Sequence, residues 1–207
     1  MDIPAIMASG PVIPVIEIES EDDAIPLARA LLAGGVKVLE ITLRTPAALG
    51  AIKRISKSVK EAVVGAGTVL TAEDVRRALD AGAQFAISPG LTIDIAEACA
   101  DGGLPLLPGA VTATELMLGR KHGFRNFKFF PAASSGGAAA VKAFAGPFAD
   151  LKFCPTGGIN PDNAGSYLSL PNVPCVGGSW LAPKDLVASK DWDAITDLAL
   201  KTQSLRA

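Results

Sequence analysis

The segment Phe127-Lys-Phe-Phe-Pro131 sets one lysine among aromatic residues. Side chains of a strand alternate between its two faces, so Lys128 opposes Phe127 and Phe129. A lone ammonium turned into an apolar interior loses hydration, which favours its neutral form. A neutral amine is a nucleophile toward carbonyl carbon. The bland alternative is a lysine whose head reaches solvent past the strand end. A second candidate, Glu40, lies in Val36-Lys-Val-Leu-Glu-Ile-Thr-Leu43, on the face of Val36, Val38 and Thr42. A carboxylate there is costly unless it is paired or protonated. Arg44 falls on the same face, and two readings stay open. Glu40 and Arg44 form a structural pair, or Glu40 moves protons beside a carbonyl-attacking lysine while Arg44 binds an anionic group.

Gly157-Gly158 and Gly177-Gly178-Ser179 form a second signal. Backbone N–H groups at glycine can approach an anion closely because no Cβ intervenes, and Ser179 adds a hydroxyl donor. One Gly-Gly pair reads as a turn; two pairs after consecutive strands point to a phosphorylated ligand. The other reactive residues read as structural. His122, the single histidine, precedes Gly123 at a helix end, where a cation complements the helix dipole. Cys99, Cys154 and Cys175 have no C-x-x-C spacing, and the latter two sit in apolar strands. They read as core residues in a reducing cytoplasm. Asp150 and Asp162 lie near turns or caps without metal-ligand company, so no metal site is expected. Glu17, Glu19, Glu21, Asp22 and Asp23 read as a solvated helix start, with Glu17 close enough to a barrel mouth to affect anion binding.

These side chains must be positioned by short apolar runs that alternate with helix-like stretches. Strands are expected over 12–18, 36–43, 62–69, 85–88, 104–107, 126–130, 151–154 and 173–176. Between them the pattern predicts helices over 22–33, 46–58, 71–81, 92–101, 112–122 and 137–145, a short helix capped at Asn160, and a last helix over 191–205. Thr71 reads as an N-cap and Gly82 as a C-terminal stop. Strands this apolar on both faces belong in a closed (β/α)8 barrel or an open doubly wound sheet. Gly65-Ala-Gly67 lacks the third glycine of a dinucleotide fingerprint, and eight units without a composition break favour the barrel. In such a barrel the active site lies at the C-terminal strand ends, which here carry Glu40, Arg44, Thr68, Pro89, Lys128 and the two glycine pairs.

The totals agree with one domain over 1–207. A net charge of -2 argues against a nucleic-acid partner. Hydrophobic residues at 49% raise the odds of a buried subunit interface. No apolar run reaches the length of a membrane span. Acidic residues precede the first basic residue, Arg29, so no secretory signal is expected.

Seven segments together resemble the 2-keto-3-deoxy-6-phosphogluconate (KDPG) aldolase family, also described as bifunctional 4-hydroxy-2-oxoglutarate (KHG) aldolases. They are Leu39-Glu-Ile-Thr-Leu-Arg-Thr45, Gly65-Ala-Gly-Thr-Val-Leu-Thr71, Ile87-Ser-Pro-Gly90, Pro108-Gly109, Phe127-Lys-Phe-Phe-Pro-Ala132, Cys154-Pro-Thr-Gly-Gly-Ile-Asn160 and Gly177-Gly-Ser-Trp-Leu181. The resemblance implies a metal-independent class I aldolase on a (β/α)8 TIM barrel, usually a homotrimer, acting on a small 2-oxo acid in the Entner–Doudoroff pathway. It implies Lys128 as the imine-forming lysine, with no cofactor beyond that covalent imine, and Glu40 as general acid/base. Arg44, Thr68 and Pro89 would surround the pyruvate part, with Phe130 beside the lysine. Gly157, Gly158, Gly178 and Ser179 would surround the phosphate. The chain departs from the family at Ala133, where glutamate is common, and at Glu17 and Glu19, where relatives carry basic or neutral residues. Two other functions fit a barrel: an isomerase or epimerase of phosphorylated sugars, which needs no Lys128, and an inactive ligand-binding barrel.

Overall fold

The computed structural model describes residues 1–206. Its strands are β1 (Val12–Ile16), β2 (Val38–Thr42), β3 (Val63–Gly67), β4 (Ala86–Ile87), β5 (Leu106–Leu107), β6 (Asn126–Phe129), β7 (Lys152–Pro155) and β8 (Val176–Gly178). The helices are α1 (Ile3–Ala8), α2 (Ala24–Ala33), α3 (Ala48–Ser58), α4 (Ala72–Ala81) and α5 (Ile93–Asp101), then α6 (Ala113–Lys121), α7 (Gly137–Phe144), α8 (Pro161–Leu168), α9 (Lys184–Ser189) and α10 (Trp192–Thr202). All strand pairs are parallel. One sheet has the order β5-β4-β3-β2-β1-β8, and β6 and β7 form a second. Single parallel bridges, Gly109 with Lys128 and Thr156 with Gly177, flank the β6–β7 pair on either side. The result is a parallel α/β fold. No helix among the described residues is long and apolar enough to cross a membrane.

Strand alternation divides the buried residues into two groups. Leu39, Ile41, Val64, Ala66, Phe127, Phe129 and Phe153 face outward and pack under the helices. Ile13, Val38, Phe85, Ile87, Leu107, Cys154 and Cys175 form a separate inner cluster. Each fully buried large side chain contributes about 1.5–3 kcal/mol of transfer free energy. The outer side around β6 is aromatic: Phe144 stacks on Phe153 at 6.0 Å, and Phe127 lies 6.5 Å from Phe153. This packing fixes which face of β6 points outward, and therefore which way Lys128 points.

Helix limits follow local chemistry. Thr71 and Asp74, Thr112 and Glu115, and Asn160 and Asn163 each form a reciprocal capping box, worth about 1 kcal/mol per cap. Gly82 ends α4 at φ 87, in the left-handed region that glycine tolerates. His122 caps the end of α6, as its position before Gly123 suggests.

The structure corrects the sequence expectations in three places. The eighth strand was expected over Val173–Val176 but lies at Val176–Gly178. Strand propensity favours the valines over Gly177-Gly178, yet pairing with Val12, Ile13 and Pro14 of β1 decides the register. The helices α1 and α9 were not anticipated; each is only six residues long, too short to show a helical period. Ile3, Ile6 and Met7 of α1 join the inner cluster and close it at the N-terminal ends of the strands. The last helix stops at Thr202 and continues as a 3-10 turn over Gln203–Arg206.

Candidate active site

Two ionisable side chains are buried on the inner face, toward the C-terminal ends of the strands. Lys128 Nζ donates to Glu40 Oε1 at 3.1 Å, with side-chain exposures of 4% and 2%. The lysine is therefore not the lone ammonium that alternation alone suggested, and Glu40 does not pair with Arg44. Fully buried charges persist when they are paired. The Lys128 ammonium also lies 5.2 Å from the Phe130 ring centroid, within cation–π range.

Glycines make room on the inner face for Glu40, Phe85 and Thr156. A Cβ on Gly67 would overlap the Glu40 carboxylate, one on Gly65 would strike the Phe85 ring, and one on Gly177 would strike the Thr156 hydroxyl. The Gly65-Ala-Gly67 spacing thus places two glycines on the inner face beside Glu40, a packing role rather than a nucleotide-binding one. Gly67→Ala is expected to displace the carboxylate from Lys128. That should lower stability by about 1–3 kcal/mol of overpacking and reduce turnover. Urea unfolding and steady-state assays would measure both effects; wild-type values for both would show that Glu40 has room to move.

Arg44 stands further out. Its Nε donates to Thr68 Oγ1 at 3.2 Å, and its Nη1 lies 3.9 Å from Glu17 Oε2. Thr68 holds φ 57, an uncommon conformation for a β-branched residue. Such conformations cluster at functional sites, and this one aims the hydroxyl at Arg44. Thr42, beneath, donates its hydroxyl to the Ile16 carbonyl at 2.9 Å and ties β2 to β1.

A cavity of about 120 Å³ is lined by Arg44, Lys128, Phe130, Gly157, Gly158 and Ser179, together with Val15, Thr156, Ile159 and Gly177. A second, outer cavity of about 290 Å³ adjoins it, with Val15, Arg44 and Ser179 lining both. Six of the ten residues singled out from the sequence therefore meet in one cleft. Glu40 reaches it through Lys128, and Thr68 through Arg44. Pro89 and Gly178 line neither cavity: the Pro89 carbonyl packs where a Gly109 side chain would stand, and Gly178 lies under the Trp180 ring. Gly157 and Gly158 hold φ 99 and 71, conformations suited to glycine.

Sequence reasoning missed Thr156, which is buried and lines the cleft one alternation beyond Cys154. That spacing was legible in Cys154-Pro-Thr156. It also missed Lys184 at the start of α9, which ion-pairs with Glu17 and lies 3.7 Å from Glu19. Glu17 is therefore part of the cleft wall, while Glu21 and Asp22 pair with Arg54 on the outer surface. The Glu17 carboxylate holds the Lys184 ammonium above its ordinary range. The three cysteines are buried, and burial pushes the Cys99 thiol up to about 11, which keeps it unreactive.

A buried amine hydrogen-bonded to a carboxylate inside a parallel α/β fold is an arrangement suited to chemistry at carbonyl carbon, and the comparisons with known proteins place the chain among the aldolases. A family model described as KDPG and KHG aldolase matches residues 3–198. The KHG/KDPG aldolase of Escherichia coli is 53% identical over 195 residues, covering 94% of this chain and 92% of its own. Among solved structures, the KDPG aldolase of Legionella pneumophila, with pyruvate captured as a covalent carbinolamine, superimposes with a TM-score of 0.94 at 48% identity, covering 97% of each chain. The enzyme of Zymomonas mobilis with 3-phosphoglycerate gives a TM-score of 0.91 at 48% identity, covering 99% of this chain and 96% of its own. The chain belongs to the KDPG and KHG aldolase family.

Proposed function

We propose that this chain is a class I aldolase that cleaves 2-keto-3-deoxy-6-phosphogluconate to pyruvate and glyceraldehyde 3-phosphate, and 4-hydroxy-2-oxoglutarate to pyruvate and glyoxylate. The observation that carries the reading is the buried contact of 3.1 Å between Lys128 Nζ and Glu40 Oε1. A carboxylate at that distance can take the lysine proton and leave a neutral amine. The amine attacks the C2 ketone; Glu40 returns the proton to the carbinolamine hydroxyl, which leaves as water, giving an iminium and restoring the carboxylate. Glu40, through a water, removes the C4 hydroxyl proton. The C3–C4 bond breaks, its electrons pass into the iminium, and the aldehyde leaves. Glu40 then protonates the enamine at C3, and hydrolysis frees pyruvate and Lys128. The iminium is the electron sink, so the reaction asks for no added cofactor.

Arg44, oriented by Thr68, takes the substrate carboxylate, and Phe130 bounds the reacting end. Gly157, Gly158 and Ser179 offer donors to the distal phosphate. Around this site the eight strands close into a single (β/α)8 barrel over 1–207; the bridges at Gly109–Lys128 and Thr156–Gly177 support closure on both sides of β6–β7. The working form is a cytoplasmic homotrimer acting in the Entner–Doudoroff pathway, with no nucleic-acid or membrane partner. Met117 and Leu118, exposed on α6, fit a subunit contact.

The test is pyruvate release coupled to lactate dehydrogenase. The phosphorylated substrate is expected to give the highest kcat/KM, with slower cleavage of its unphosphorylated analogue and of 4-hydroxy-2-oxoglutarate. Absence of pyruvate from all three rejects the activity, and equal rates with and without phosphate reject the distal anion site.

A further inference from the structure

The outer cavity holds an ion pair, Lys184 with Glu17, that the proposed chemistry does not use. Lys184, in the first turn of α9, pairs with Glu17 just beyond β1, and Glu17 lies 3.9 Å from Arg44. Glu19 is the other acid near Lys184, at 3.7 Å. Glu17, Arg44, Ser179 and Lys184 line the same 290 Å³ cavity, and Arg44 and Ser179 also line the cavity that holds Lys128. An extended substrate with its reacting carbon at Lys128 and its far end beside Ser179 would set that end at the border of the cavity that Lys184 and Glu17 line. A phosphate monoester carries roughly -1.5 to -2 charges at neutral pH, more than the Glu17 carboxylate that pairs with Lys184. Exchange of Glu17 for phosphate on Lys184 is favourable for the lysine and unfavourable for Glu17, which is left facing a like charge. A substrate without phosphate leaves the pair closed.

We infer that Glu17 and Lys184 are opposed specificity residues, Lys184 pairing with the distal anionic group of the substrate and Glu17 disfavouring it. Their ion pair then sets the preference for phosphorylated over unphosphorylated 2-oxo acids. The inference rests on the aldolase reading above and goes beyond it by assigning selectivity to two side chains outside the reacting centre. Glu17 is a positioning residue, since it acts through Lys184 and through the field at the cleft mouth.

The readout is the ratio of kcat/KM for 2-keto-3-deoxy-6-phosphogluconate to that for its unphosphorylated analogue. Glu17→Gln is expected to raise the ratio roughly fivefold, and Lys184→Ala to lower it by about the same factor, the upper size of a half-exposed charge interaction. Lys184→Arg, which keeps the charge, is expected to hold the ratio near wild type. An unmoved ratio in either of the first two variants, shifts in the same direction, or an Arg variant as poor as the Ala variant would overturn the proposal. Lys184 is largely exposed and Glu17 partly so, at 66% and 27%, so both substitutions leave the core intact. Borohydride trapping of pyruvate by the unsubstituted chain separates the two readings. No adduct rejects the aldolase chemistry; an adduct with unmoved ratios rejects the ion-pair selectivity alone.

Discussion

Lys128→Met is expected to abolish pyruvate release, with turnover falling roughly a thousandfold or more, because it removes the buried amine that forms the imine beside Glu40. Methionine matches the length of the lysine stem and keeps contact with Phe130, so the lost function is the amine. The substitution also leaves Glu40 as a buried carboxylate without its cation. Breaking such a pair from one side costs about 3–5 kcal/mol, and the midpoint of urea unfolding should fall accordingly. Turnover within tenfold of wild type would exclude the imine route. Lost activity in an unfolded variant would be uninformative, so the assay belongs at a temperature where circular dichroism confirms the native fold.

Glu40→Gln separates proton transfer from binding. Glutamine has nearly the same shape and still offers Lys128 an acceptor oxygen at the 3.1 Å contact. It can neither take the lysine proton nor shuttle protons at C4 and C3. A fall in kcat of about 10²–10⁴ is expected, with a smaller change in KM, because Arg44 and the glycine loops remain. Pre-steady-state mixing should show slower imine formation as well as slower cleavage. Unchanged kcat would remove Glu40 from both proton transfers, and a rise in KM at constant kcat would assign it to binding alone.

Much of this site was legible in the sequence, because strand alternation is a strict rule. Phe127 and Phe129 face the helices, so Lys128 had to face inward, and Glu40 followed from Val38 and Thr42 by the same rule. Alternation gives a face but not a neighbour across the fold. The Lys128–Glu40 contact joins residues 88 positions apart, and no local pattern distinguishes it from the Glu40–Arg44 pair that also fitted. Arg44 instead turns outward to Thr68 and Glu17, where solvent lowers the cost of its charge. The shift of the eighth strand onto Gly177-Gly178 has the same origin: local propensity spoke for the valines, and pairing with β1 prevailed. Lys184 was hidden because α9 is too short to announce itself, so the partner of Glu17 became visible only in three dimensions. The glycines at 65, 67 and 177 are the reverse case. They were conspicuous in the sequence, and the structure supplied their reason, which is space for Glu40, Phe85 and Thr156.

The most direct measurement is reduction of the unsubstituted enzyme with borohydride in the presence of pyruvate, followed by peptide mass spectrometry. A reduced three-carbon adduct on Lys128, with activity lost in proportion to its formation, is the predicted result. An unmodified Lys128, or an adduct on another lysine that accompanies the loss of activity, would contradict an imine at this buried amine.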